Sequence, residues 1–414
     1  MPKKAQNNPR QIRVKSCGCA LCVAKYPDPP RRPRRDCIGS WQARWRRPDG
    51  TGTSRNFRTK TEAENHLDNV KSDLHKGTYI DPKRGKQLLR KFRPRWRNAQ
   101  DGAETTLERD DRLWANHIDP KWGGYPLVAI EHLDVKAWVK ELGQTLAPGT
   151  IIKVHQILDR MLTAAHVEKR IPLNPCEGIK LPTIPKKHPE DRRPPTVQQL
   201  DLVRAKLPEY HHPLEIFLEE TGLRWGEATG MRLCNVDFER KRIHVREILI
   251  EVGGALKRKA YPKSDAGLRT VGMTPRAEEA LKAAMALRAV EPTRSAIGDG
   301  MCKEELLFRG RNGSPIGRNG FRRLWIPAIQ AAGVARVTID EKTGKKEWWP
   351  QVHTIRHHFA SKLADLNVPE VVVQEVMGHE RGGEVTWLYT HAAADTAGQV
   401  LAALMQERPK LVAV

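Results

Sequence analysis

Between His353 and His391 the chain reads HTIRHHFASKLADLNVPEVVVQEVMGHERGGEVTWLYTH, and groups suited to phosphate chemistry recur within it: His353, Arg356, His379 and Tyr389. A spacing of three sets His353 and Arg356 on one face of a helix. A second helix, from about Pro369 to Met377, ends at Gly378, a C-terminal cap signal that presents His379 just past the helix end. Tyr389 follows, ahead of a short Ala-rich helix reaching about Met405. Each of these residues alone says little. A single Tyr on a terminal helix is more often a core or surface residue, and a His-x-x-Arg pair can simply cap or bridge neighbouring helices. The upstream stretch TGLRWGEATGMRLCNVDF adds weight, because it sets Arg224 at a similar helix entry. Two planar guanidiniums can grip the non-bridging oxygens of a phosphodiester bidentately. A phenol, whose resting pKa is ~10, could then act as nucleophile if a neighbouring group moves its proton.

These motifs together resemble those of the tyrosine recombinases, specifically the phage-type integrases. That family is marked by an Arg in a TGLRxGE-like segment, a Lys on a β-hairpin, HxxR, a Gly-His pair and a Tyr shortly after. The resemblance implies a catalytic set of Arg224, Lys263, His353, Arg356, His379 and Tyr389, with Tyr389 the nucleophile. It implies a covalent 3′-phosphotyrosine that splits one hard step into two reversible ones. Arg224 and Arg356 would supply preorganised positive charge, the two histidines would bond the phosphate or move the phenol proton, and Lys263 would protonate the departing 5′-oxygen. No cofactor and no metal are expected. Glu227 matches the acidic residue after the first Arg, read as structural support, and His357 completes the family's Arg-His pair. Met377 replaces the usual Leu before Gly-His, and Gly382-Gly383 stands where many relatives carry small polar residues. Lys257 and Lys259 also lie near the hairpin, beside Lys263. The resemblance covers residues 200–395 by specific motifs, and 38–180 only in general architecture.

Charge says who the partners are. The 414 residues hold 72 Lys/Arg against 49 Asp/Glu, a formal +23, and such a chain seeks polyanions. Residues 1–100 hold 26 basic and 8 acidic groups, so +18 of the +23 lies in the first quarter. That quarter is the candidate nucleic-acid module. A membrane-surface role is disfavoured, since it lacks a long amphipathic apolar face. No apolar run approaches ~18 residues, and MPKKAQNNPRQIRVK lacks the apolar core of a secretory signal. Seven cysteines, an odd number, agree with a reducing, cytoplasmic setting; the resemblance implies that this is a bacterial host cell, with the protein at its nucleoid. Cys17, Cys19, Cys22 and Cys37 could hold a structural zinc. C-x-C-x2-C is not the usual knuckle, however, and the gap reads PDPPRRPRRD, so thiols without a metal in a loose arm are the expectation.

The elements follow in order. Residues 1–37 read as a basic arm without fixed structure. In 38–85, Trp41, Ala43 and Trp45 alternate with Gln42 and Arg44, a period of two that predicts a strand. PDGTG turns it into a second strand, Ser54 to Arg58, and Thr59 or Thr61 caps a helix ended by Gly77. The resemblance makes this an arm-type DNA-binding domain whose strands enter the major groove, with Arg44, Arg46, Arg47, Arg55 and Arg58 as DNA contacts. Residues 90–182 predict a helical bundle (101–123, 132–142 and 149–170), which the resemblance makes the core-binding domain. A Pro-rich, charged linker spans 183–196. Residues 197–414 form the catalytic domain: helices around a small antiparallel sheet of three strands (240–250, 254–262 and 268–274), with Lys263 at the tip joining the last two. Residues 334–350 show no clear pattern. The fold class is mainly α with small antiparallel sheets, an α+β arrangement.

As a site-specific recombinase, the protein would cut and rejoin double-stranded DNA to integrate or excise mobile DNA such as a prophage. The resemblance implies a homodimer on each core site, a homotetramer in the synaptic complex, passage through a Holliday junction, and separate arm sites. An excisionase and a DNA-bending host protein are possible partners. Two other readings use the same residues. A type IB topoisomerase shares the chemistry but relaxes DNA alone, and the basic N-terminal module and helical clamp argue against it. A non-catalytic DNA-binding regulator would need the arginines at most, not all six groups.

Overall fold

The computed structural model describes residues 9–12, 20–28, 34–37, 39–185, 193–260, 268–289, 306–340, 343–378 and 396–406. Contacts divide the chain into two compact units, 1–101 with 110–183, and 102–109 with 184–414. Among the described residues no helix is long and apolar enough to cross a membrane.

The first unit begins with an antiparallel sheet of β1 (Arg10–Ile12), β2 (Ser40–Arg46) and β3 (Gly52–Phe57), in that order. The expectation of an unstructured arm over 1–37 is corrected in two places. Arg10–Ile12 pairs along the open edge of β2, with Arg10 opposite Gln42, and Ala20–Lys25 forms a short helix, α1. An edge strand draws its stability from ladder hydrogen bonds to its neighbour, which the composition of the arm does not reveal. Helix α2 (Lys60–Lys76) has the full capping box, with the Thr59 side chain accepting from the Glu62 N–H, and ends at Gly77 in the left-handed region. It covers one sheet face through Ala63 and Leu67, packed with Ala43, Trp41, Trp45 and Phe57.

The rest of this unit is helical: α3 (Leu89–Asn98), the end of α4 (Glu104–Leu113) from residue 110 on, α5 (His132–Leu142) and α6 (Pro148–Val167). Helix α3 was not separately legible, because Pro94 and five basic residues obscure it. Its buried Leu89, Phe92 and Trp96 nevertheless recur at helical spacing. Helix α4 runs into a wide turn at Trp114–Ile118 and thence to Asp119–Trp122. The core joins these helices through Trp114, Trp122, Trp138, Leu158 and Met161.

In the second unit, helix α7 (Val197–Arg204) starts at Thr196, again with a capping box, completed by Gln199. Helix α8 (His212–Thr221) carries Glu215, Glu219 and Glu220, all buried. Arg204 binds Glu215 and Glu219, while Arg276 reaches Glu219 at 2.8 Å and Glu220 at 3.1 Å. Burial still pushes the Glu215 carboxyl up to about 7, against the pull of Arg204. Buried ion pairs of this kind fix geometry more than they stabilise, and here they fix the helix that leads to Arg224.

The strand expectation needs correcting. The run 240–250 is two strands, not one: β5 (Arg242–Val245) and β6 (Glu247–Val252). Strand β5 lies between β4 (Val236–Asp237) and β8 (Arg269–Gly272), whereas β6, among the described residues, pairs only with β7 (Ala255–Ala260). Burial alternates within each strand, with Ile243 and Val245 inward on β5 and Glu247 and Leu249 inward on β6. The continuous pattern of apolar and polar residues therefore hides the change of sheet at Arg246. Residues 334–350, unpatterned in sequence, hold a hairpin of β9 (Arg336–Ile339) and β10 (Lys346–Trp349). All four β9 residues are exposed, so there is no alternation to read. The Arg336 guanidinium lies 3.9 Å from the Trp349 ring centroid.

Helices α9 (Trp225–Thr229), α10 (Pro275–Ala289), α11 (Arg318–Ala331), α12 (Val352–Asp365), α13 (Glu370–Met377) and α14 (Thr396–Gln406) complete the unit. Gly222 ends α8 with φ +61, and a Cβ there would stand 2.3 Å from Cδ1 of Phe359 on α12. Gly222→Ala should therefore cost roughly 2 kcal/mol or more, from the left-handed backbone plus the clash. Chemical denaturation checks this; an unchanged midpoint would contradict the close packing of α8 on α12.

Candidate active site

Arg224 is the N-cap of α9, where the chain turns after Gly222. Its backbone N–H donates to Glu227 Oε2 at 2.8 Å and its Nη1 to Glu227 Oε1 at 2.9 Å. Its Nη2 reaches the Gly378 carbonyl at 2.7 Å. Arg356, buried on α12, donates Nη1 to the Gly222 carbonyl at 2.7 Å and Nη2 to the Met377 carbonyl. Arg224 and Arg356 thus converge on the end of α13, one residue before His379.

A third arginine joins them. Arg269 on β8 donates Nε to the Val376 carbonyl at 2.6 Å. Its Nη1 and Nη2 bind both oxygens of Glu227, at 3.1 and 2.7 Å. Burial alone would raise the Glu227 carboxyl, but the bonds and charge of Arg269, with those of Arg224, hold it down to about 2. Sequence reading missed Arg269. The available signal was an arginine in LRTV, in a strand that turns inward at Val271.

His353 sits on the solvent side of α12, one turn before Arg356. Its ring meets that of His357 edge-on, with centroids 5.0 Å apart. Crowding by surrounding atoms lowers its pKa first, followed by the positive neighbours His357, Arg356, Arg318 and Arg224. The neutral form of the ring is thereby favoured, the form in which one ring nitrogen is an acceptor. Arg318, at the start of α11, is a second positive group that the motifs did not point to. Gly226, in the RWGE stretch, lets β6 pass closely: a Cβ there would lie 2.6 Å from the Leu249 carbonyl. Lys263, His379 and Tyr389 lie outside the described residues. The same holds for Cys17 and Cys19 of the possible zinc set. Cys22 is buried, and its sulfur accepts from the Arg34 N–H at 3.2 Å. Among the described residues no group of three or more His, Cys, Asp or Glu side chains could hold a metal ion.

Comparisons with known proteins decide the family. Residues 202–396 match the model of the phage integrase family. A putative prophage phiRv2 integrase of Mycobacterium tuberculosis is 24% identical over 378 residues, covering 88% of this chain and 92% of the relative. The chain is a tyrosine recombinase of the phage-integrase type. An integrase of Streptomyces ambofaciens is 26% identical over 326 residues, covering 78% of this chain and 80% of its own. The fold of the recombinase resembles that of the Tn1549 transposon integrase in complex with a circular intermediate DNA. The TM-score is 0.60 at 20% identity, over 78% of this chain and 99% of the other. A lambda integrase dimer bound to a core site gives 0.51 at 14% identity, over 92% and 96%.

The N-terminal sheet sorts the five arginines expected at DNA. Arg44 and Arg46 share a face with Gln42, opposite Ser54, Gly52 and Asn56. On that face Gln42 Nε2 donates to Asn56 Oδ1 at 3.1 Å and Arg44 Nε to Gln42 Oε1 at 2.5 Å. Exposed Arg10 joins it from β1. Arg55, opposite Ala43, belongs to the other face, with its guanidinium 5.4 Å from the Phe57 centroid. Arg47 is engaged within the chain, 2.9 Å from Asp81 and bonded to Thr51 and Thr53. Arg58 is exposed just past β3. The period of two already sets Gln42 beside Arg44 in the sequence; charge alone does not mark it as a DNA contact. Amide side chains pair with adenine edges in the major groove. Gln42→Ala and Asn56→Ala should each remove about 1–3 kcal/mol of preference among duplex sequences, read by selection from random duplexes. An equal loss on every sequence would contradict a base-reading role for this face.

Proposed function

We propose that the protein catalyses site-specific integration and excision of mobile DNA through a 3′-phosphotyrosine at Tyr389. The observation that carries this reading is the convergence of Arg224 and Arg356 on the α13 terminus, next to His379. Their guanidiniums would grip the non-bridging oxygens of the scissile phosphate as charge builds in the pentacoordinate transition state. The Tyr389 oxygen attacks phosphorus as its proton passes to His353 or His379. The bond to the 5′-oxygen breaks, and Lys263 protonates that oxygen. Attack by a 5′-hydroxyl of the partner duplex reverses the step and completes exchange.

The remaining parts fit the same scheme. Residues 38–85 would read arm sites, 90–182 and 197–414 would clamp the core site as separate domains, and 183–196 would link them. A dimer on each core site and a tetramer at synapsis follow the architecture of the lambda integrase complexes. An excisionase and a DNA-bending host protein would set direction, and the work would be done at the bacterial nucleoid. The relatives are integrases and transposases of mobile DNA, which favours this scheme over DNA relaxation or simple regulation. Binding should weaken steeply with salt, because each phosphate contact releases counterions.

The experiment is a nicked suicide duplex bearing the core site, incubated with full-length protein and a chelator, then run on a denaturing gel. Wild type should give a shifted covalent band, and Tyr389→Phe none while still binding the duplex. A band from Tyr389→Phe, or none from wild type on a site that it binds, contradicts the assignment.

A further inference from the structure

We infer that Arg269 is a positioning residue for strand cleavage, which keeps the charge of Arg224 available to the phosphate by occupying Glu227. The inference rests on the recombinase reading above. The Glu227 side chain is fully buried between two guanidiniums, and the Arg269 side chain is only 5% exposed against the 35% of Arg224. With Arg224 as its sole partner, the carboxylate would cancel the charge of that arginine. With Arg269 spanning both oxygens, the three groups keep a net positive charge, and its seat lies at the exposed member, Arg224. The third bond of Arg269 is to the Val376 carbonyl. The successive carbonyls of Val376, Met377 and Gly378 thus each hold one arginine: Arg269, Arg356 and Arg224. Arg269 therefore sets both the charge balance around Arg224 and the end of the helix that leads to His379. A planar fork matches both carboxylate oxygens while Nε meets the carbonyl, a fixed geometry that the point charge of an ammonium group does not reproduce.

The test measures single-turnover cleavage of the core-site suicide duplex at saturating full-length protein, with duplex affinity measured in parallel. Arg269→Gln should cleave about 100-fold slower or worse, the size of losing one preorganised donor, with affinity within about threefold of wild type. The double variant Glu227→Gln/Arg269→Gln should recover about tenfold or more over Arg269→Gln, because removing the carboxylate releases the charge of Arg224. A purely structural role predicts a double variant no faster than the single one, and that result overturns the inference. So does wild-type cleavage by Arg269→Gln. If Arg269→Gln does not fold, Arg269→Lys carries the test: normal affinity with cleavage about tenfold slower supports the inference, and wild-type cleavage overturns it. Absence of any adduct from wild type overturns the recombinase chemistry itself, and the inference with it.

Discussion

Everything at the candidate site depends on how the end of α13 is held. A helix C-terminus leaves its last carbonyls without partners and carries the negative end of the helix dipole. In this recombinase three guanidiniums answer both needs at consecutive carbonyls. The arginines come from β8, from the start of α9 and from α12, at sequence separations of 107, 154 and 21 residues. Local helix formation cannot bring them together. The site therefore exists only once the whole core around Phe217, Leu218, Ile355 and Phe359 has closed.

Glu227 makes this concentration of positive charge tolerable. Its carboxylate, buried and held at about 2, accepts from both Arg224 and Arg269. Because its folded pKa is depressed, its contribution to stability is present above the ordinary Glu value and is lost as pH falls toward about 2. An isolated buried arginine would be expensive to desolvate; bonds to carboxylate and carbonyl offset that cost. What these bonds supply is rigidity. Donors that need not reorganise when charge develops on a phosphate are worth far more than mobile ones.

Much of this was legible in the sequence, for identifiable reasons. The HxxR spacing puts His353 and Arg356 one turn apart, Gly378 ends α13 in the left-handed region, and Thr59 caps its helix, all from local rules. Nonlocal features were not legible. Arg269 meets Glu227 across 42 residues, and no periodicity announces such a pair. The switch of sheets at Arg246, the β9–β10 hairpin and the edge strand at Arg10–Ile12 depend on which strand finds which partner. Charge alone marks the five arginines of the N-terminal sheet; the strand register separates Arg44 and Arg46 from Arg55, and the bonds to Asp81, Thr51 and Thr53 set Arg47 apart.

The central claim is that Arg224 and Arg356 act on the charge of the scissile phosphate. Its most direct test is single-turnover cleavage of a core-site duplex in which a methyl group replaces one non-bridging oxygen of that phosphate. Wild type, Arg224→Ala and Arg356→Ala are compared on this neutral substrate and on the normal one. If the arginines neutralise developing charge, the defects of the two variants shrink by about tenfold or more on the methylated substrate. Defects of equal size on both substrates would contradict the claim and leave the two arginines as scaffolding for α13.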